Sequence, residues 1–177
     1  MVSSPFNTLL SLSQRFNSTQ RGLPAQQDIV PACKVVCFSI LGINLVVALE
    51  ELTEIVELPQ YTRVPRVKRW VLGIANLRGR LLPIVKLSAF LGDKLSGSAK
   101  QQRVMVIDMM GMFVGLTVDR VYGMRHFKID TYTRNLNDIP DRLAPYADGG
   151  FVQPDGTWIL LRPSQLLADR RFTEVAA

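Results

Sequence analysis

His126, the single histidine, stands in Met124-Arg125-His126-Phe127-Lys128. The flanking cations disfavour the imidazolium that base catalysis would create, so a surface or packing role is expected. Cys33 and Cys37 are the only cysteines, and a spacing of four in an apolar, strand-like stretch puts both thiols on one strand face. That argues against a structural disulfide. A zinc ion needs about four ligands, and the histidine lies far away in sequence, so both cysteines read as core thiols. No metal or cofactor is assigned. Glu50, Glu51, Glu54 and Glu57 have no evident acid or base counterpart and read as a solvated face. Neither a phosphate-binding glycine loop nor a dinucleotide fingerprint is present. An enzyme is therefore not expected.

Residues 70–87 carry more information: Trp70-Val71-Leu72-Gly73-Ile74-Ala75-Asn76-Leu77-Arg78-Gly79-Arg80-Leu81-Leu82-Pro83-Ile84-Val85-Lys86-Leu87. Gly73 lets the chain start a strand from a tight turn, and residues 76–79 form a polar bend between two apolar runs. The bend projects Arg78, whose planar fork of donors suits a carboxylate or backbone carbonyls. Two uses fit equally: an internal ion pair that locks the bend, or a contact with a partner. Between residues 59 and 92 stand Arg63, Arg66, Lys68, Arg69, Arg78, Arg80 and Lys86 with no acid, just after the glutamate cluster. Such segregation, in a chain of net charge +6, can orient a protein partner as well as attract phosphate.

The elements that position these residues read as strands. From Lys34 onward short apolar runs alternate with turn signals: residues 35–40 and 45–49 around Leu41-Gly42-Ile43-Asn44, then 104–108 and 113–118 around residues 109–112. Pro154-Asp155-Gly156 separates Phe151-Val152 from Trp158-Ile159-Leu160-Leu161, with proline presetting φ and glycine supplying a positive one. Residues 81–87 form a further strand in which Pro83 marks an edge or a bulge, because proline cannot donate to the ladder. A weak repeat relates two halves. Leu41-Gly42 recurs as Met110-Gly111, Ala48-Leu49-Glu50 as Thr117-Val118-Asp119, and Gly73 and Gly79 as Gly150 and Gly156.

Two small barrels explain this, roughly 33–92 and 100–172, with 92–100 as connector and exchange of strands or helices between them allowed. Residues 163–171 read as a closing helix with Pro163 in its first turn and Leu166, Leu167 and the Arg170 stem inward. Residues 1–32 form an arm and linker in which Phe6, Leu9, Leu10 and Phe16 fall near helical spacing behind Pro5. A tail and a docking helix both fit it. No apolar stretch approaches the roughly 20 residues that span a bilayer, and the first 30 or so lack a basic start followed by an apolar run, so membrane insertion is not expected and the cytoplasm is the expected compartment.

Gly73, then Asn76-Leu77-Arg78-Gly79, then an apolar strand with Pro83-Ile84-Val85 resembles the signature of CheW-like domains of bacterial chemosensory arrays. The likeness runs over about residues 35–172. The lead-in Leu23-Pro24-Ala25-Gln26-Gln27 and the block 61–91 look like a branch of that family serving type IV pilus twitching motility. The resemblance implies an all-β fold of two SH3-like five-stranded barrels packed on a shared apolar seam, with short amino- and carboxy-terminal helices and no catalysis. It implies an adaptor between the regulatory domain of a CheA-type histidine kinase and the cytoplasmic tip of a methyl-accepting chemoreceptor, held at membrane receptor arrays through those partners. The family's interaction surface carries onto Leu52, Glu54 and Ile55 in a strand Glu51-Leu52-Thr53-Glu54-Ile55, and onto Gly73, Arg78 and Gly79. Glu54 is then a specificity charge and Arg78 a contact or the brace of the loop. Lys86 departs from the family, which often has aspartate after Pro-Ile-Val; if that aspartate braces the arginine, the brace here must differ. A small barrel with basic loops is alternatively a binder of single-stranded nucleic acid, which needs exposed aromatics among its cations. Tyr61 and Trp70 flank the basic block, but Trp70 beside Val71 and Leu72 reads as core, so no nucleic acid is expected.

Overall fold

The computed structural model describes residues 32–92 and 101–176. The chain divides into two units, Met1–Pro31 and Ala32–Ala177, and the elements below belong to the second. The expected amino-terminal helix and residues 93–100 of the connector lie outside the described residues.

The first half begins with β1 (Ala32–Ile40) and β2 (Ile43–Ala48), then β3 (Glu54–Glu57) and β4 (Tyr61–Thr62). It ends with β5 (Val71–Leu77), β6 (Arg80–Lys86) and a short helix α1 (Leu87–Phe90). The second half repeats the plan: β7 (Arg103–Met109), β8 (Met112–Val118), β9 (Arg120–Lys128), β10 (Tyr132–Thr133), β11 (Ala147–Gln153) and β12 (Gly156–Leu161). Two helices close it, α2 (Pro163–Ala168) and α3 (Arg170–Thr173). The anticipated four-residue bends are tighter than expected. Leu41-Gly42, Arg78-Gly79 and Met110-Gly111 have positive φ at both residues, as the two-residue type I′ hairpin requires.

Strand order is β10-β11-β12-β2-β1-β9 in one six-stranded sheet and β3-β7-β8-β6-β5-β4 in the other. Each consists of five strands of four residues or more and one two-residue strand, β10 or β4. The sheets cut across the sequence. The β1–β2 hairpin of the first half joins β9 to β12, while the β7–β8 hairpin of the second joins β3 to β6. Parallel ladders seal the exchange, β12 against β2 and β6 against β8. Both sheets curl into barrels, which an ion pair at each opening makes plain below.

The exchanged hairpins are buried on both faces, which is why their sequences are nearly continuous apolar runs. On β1, Val36, Phe38 and Ile40 face a central seam, while Val35 and Cys37 face the interior of their own barrel with Phe127, Phe151 and Trp158. On β7, Met105 and Ile107 face the same seam, and Val104 and Val106 face the other interior with Ala75, Leu82 and Ile84. Three cores follow, one shared and two private. Burial pushes the Cys37 thiol up to about 11, against the pull of Arg125.

Four expectations need correction. Pro83 is not on an edge strand, since β6 lies between β5 and β8; the β8 ladder covers only Ile84 to Lys86, so proline falls where β5 alone pairs. The strand expected from Glu51 starts only at Glu54. Residues Leu49–Glu51 form a 3-10 turn instead, because the chain here crosses from one sheet to the other. The closing helix breaks at Asp169, whose carboxylate accepts the Arg171 amide at 2.8 Å and caps α3, leaving Arg170 exposed and Phe172 inward in its place. Glu51 is no solvated residue: its side chain is tucked 3.7 Å from Arg162, and burial raises its carboxyl pKa despite that cation.

Candidate protein-docking site

Gly73 does not leave a tight turn but lies mid-strand at a bulge in β5, with φ of +154°. A Cβ there would sit 2.2 Å from the Thr62 carbonyl oxygen, so only glycine lets β4 lie this close. Gly73 is buried and acts through β5. From that strand the chain enters the Arg78-Gly79 turn, where φ is +52° and +81° and the Asn76 side-chain oxygen accepts the Gly79 amide at 2.8 Å. The turn therefore has a fixed shape, and Arg78 leaves it in a fixed direction.

Arg78 donates to Glu54 Oε2 at 2.8 Å. Glu54 is on the edge strand β3, separated in the sheet by β7, β8 and β6 from β5, which leads into the Arg78 turn, so this pair closes the curled sheet into a barrel. The other barrel has the same closure with its polarity inverted. There Arg125 of edge strand β9 reaches Asp155, in the β11–β12 turn, at 2.6 Å. The two pairs differ in what lies over them. The Arg125 guanidinium lies 4.9 Å from the Phe127 ring and 5.5 Å from that of Trp158, whereas the Arg78 side chain is 79% exposed over a Glu54 that is only 21% exposed. An ion pair so exposed contributes about 0–1 kcal/mol. Most of the Arg78 fork is left free to meet something else.

Of the other anticipated residues, Ile55 is exposed at 37% beside Glu54, and Leu52 packs half-buried on the central seam. Gly79 completes the turn. Ile55 also lines a groove of about 490 Å³ between the edge strands β3 and β9, whose far wall includes Arg120, Val121 and Tyr122. No motif marks that wall. The signal in the sequence is Tyr122 two residues from Arg120, a spacing that puts a ring and a cation on one face of the strand. Lys86 lies at the opposite end of β6 from the turn, its amide bonded to the Trp70 carbonyl at 2.7 Å, so it is no neighbour of Arg78. Arg78 is braced by Glu54, and position 86 has no part in it.

Trp70 is 9% exposed and stacks on Phe172, with Phe90 edge-on at 5.4 Å, and Tyr61 packs on the smaller barrel interior. Trp70 therefore offers no free face to a base, and Tyr61 is half-buried. His126 is exposed on β9, and among the described residues no three of the His, Cys, Asp and Glu side chains come together as a metal would need. No helix among them is long and apolar enough to cross a membrane.

Two barrels thus trade hairpins across a common seam, and one of them presents an exposed arginine on a two-residue turn. The chain belongs to the CheW-like domain family, whose family model matches residues 34–171. It is 40% identical to protein PilI of Pseudomonas aeruginosa over 175 residues, 99% of this chain and 98% of that one. It is 29% identical to the chemotaxis protein CheW of Thermotoga maritima over 133 residues, 75% of this chain and 85% of that one. The crystal structure of the scaffolding protein TtCheW from Thermoanaerobacter tengcongensis shares the fold, with a TM-score of 0.67 at 22% identity over 75% of this chain and 90% of that one.

Proposed function

We propose that this protein is a non-catalytic adaptor coupling the cytoplasmic tip of a methyl-accepting chemoreceptor to the regulatory domain of a CheA-type histidine kinase, in a system that controls type IV pilus twitching motility. The observation that carries the reading is Arg78, held on a locked turn, braced from one side by Glu54 and open on the other. In the matching pair of the second barrel Arg125 lies against the Phe127 and Trp158 rings, whereas Arg78 stands open. The kinship with chemotaxis proteins supports the adaptor role, and likeness to PilI along nearly the whole chain supports the pilus output.

In this reading Arg78 and Ile55 touch a partner, Glu54 sets both the angle of the guanidinium and the charge a partner meets, and Leu52 anchors the start of β3. Gly73 and Gly79 shape the hairpin. The test is calorimetric titration of Arg78→Asp against the purified kinase regulatory domain and, separately, a receptor tip fragment. Asp-Gly is itself a favoured pair in this turn, so the hairpin survives the change. Binding to at least one partner is expected to weaken at least tenfold, about 1.4 kcal/mol, with the melting curve kept. Wild-type affinity for both would remove Arg78 from the site.

A further inference from the structure

Of the eight residues between β4 and β5, residues 63–69 carry Arg63, Arg66, Lys68 and Arg69 and no acid. Among the described residues none of the four side chains makes an ion pair or a hydrogen bond, although Arg78, Arg80, Arg103, Arg125, Arg162 and Arg171 all do. The second half supplies a control. Residues 134–145, between β10 and β11, occupy the corresponding place and carry Arg134, Asp138, Asp141 and Arg142, which sum to no net charge. The fold itself therefore asks for no cations here.

The loop is also held in place. Val67 forms a bridge with Ala176, the Lys68 amide donates to the Val175 carbonyl at 3.0 Å, and the Val71 amide donates to the Lys68 carbonyl at 2.9 Å. A partner therefore meets cations whose backbone is already ordered, which lowers the entropic cost of association. The loop leads into the start of β5 and Arg78 follows its end, roughly 20 Å away along seven strand residues, so the two surfaces are separate.

We infer that residues 63–69 form a second docking surface, which takes an acidic polypeptide segment. Three of the four cations are arginines, whose forks match carboxylates. Single-stranded nucleic acid would need a free stacking ring, whereas Trp70 is packed against Phe90 and Phe172 and Tyr61 is half-buried on a barrel interior. A duplex or an anionic bilayer presents an extended negative face, which would press on Glu174, next to the Val175 that is tied to this loop. A short acidic segment avoids that carboxylate. The inference does not rest on the adaptor reading.

The test is fluorescence anisotropy of the full chain with a labelled glutamate-rich peptide at about 50 and about 200 mM salt. Saturable binding that weakens with salt is expected. It should fall at least tenfold when Arg63, Arg66, Lys68 and Arg69 are all changed to glutamate, and measurably with the milder pair Arg66→Gln and Arg69→Gln. No peptide binding, binding that survives reversal in a variant with an intact melting curve, or tighter loop-dependent binding to phosphatidylserine vesicles or to a mixed-sequence single-stranded DNA would overturn the proposal.

Discussion

Two residues in the Arg78 hairpin do different work, and substitution separates them. Gly73 is fixed by sterics: an added Cβ meets the Thr62 carbonyl oxygen at 2.2 Å, and β4 would have to move away. Gly79 has a positive φ but open space around its Cβ position. Gly79→Ala is expected to cost about 1–2 kcal/mol for the left-handed conformation alone. Gly73→Ala should cost more than that, and urea denaturation of the two variants measures the gap; equal midpoints would contradict the close approach. Arg78 stabilises little and is placed for contact. Its prominence was legible in the sequence from Asn76-Leu77-Arg78-Gly79, but its partner was not. Glu54 reaches it only because the sheet closes, and no local spacing reports a closure between its far sides.

At the scale of elements, the break between α2 and α3 depends on Asp169. The Arg171 guanidinium and then the Tyr146 hydroxyl, which donates to it at 2.5 Å, hold its carboxyl down at about 2. Burial first, and that hydrogen bond second, push the Tyr146 phenol up to about 12. A carboxyl whose folded pKa is depressed contributes stability that is present above its unfolded value and is lost as pH falls through the folded one. Asp169→Asn should therefore be less stable than wild type at neutral pH and lose less between about pH 4 and pH 2. Melting temperatures across that range test it; parallel curves would show that the cap carries no linkage. The hairpins were readable because their turns carry Leu41-Gly42, Arg78-Gly79 and Met110-Gly111 between apolar runs. The helix break was not, because Ala168-Asp169-Arg170-Arg171 has no glycine or proline to announce it.

At the scale of the molecule, the halves are alike in plan but not separable. The repeat visible in the glycines extends to a feature the glycines do not show: Tyr61-Thr62 and Tyr132-Thr133 form the two shortest strands, each followed by an arginine. Each lays a threonine carbonyl over a glycine, Thr62 over Gly73 and Thr133 over Gly149, so the counterpart of Gly73 is Gly149 and not the expected Gly150. The Lys86 amide bonds the Trp70 carbonyl as the Arg162 amide bonds that of Tyr146. What could not be read was which half each hairpin joins, since the sealing parallel ladders pair only a few residues from distant parts of the chain. Exchange predicts that residues 1–92 and 93–177, made separately, each lack two strands of a barrel and show no cooperative unfolding, while mixing restores near-ultraviolet dichroism. A half that folds alone would contradict it.

An adaptor must bridge receptor and kinase. A sedimentation assay with receptor tip assemblies, kinase regulatory domain and this protein measures it directly. The kinase domain should pellet with receptor only when the protein is present, and substantially less with Arg78→Asp. Equal sedimentation without the protein, or undiminished sedimentation with Arg78→Asp, would contradict an adaptor built on that turn.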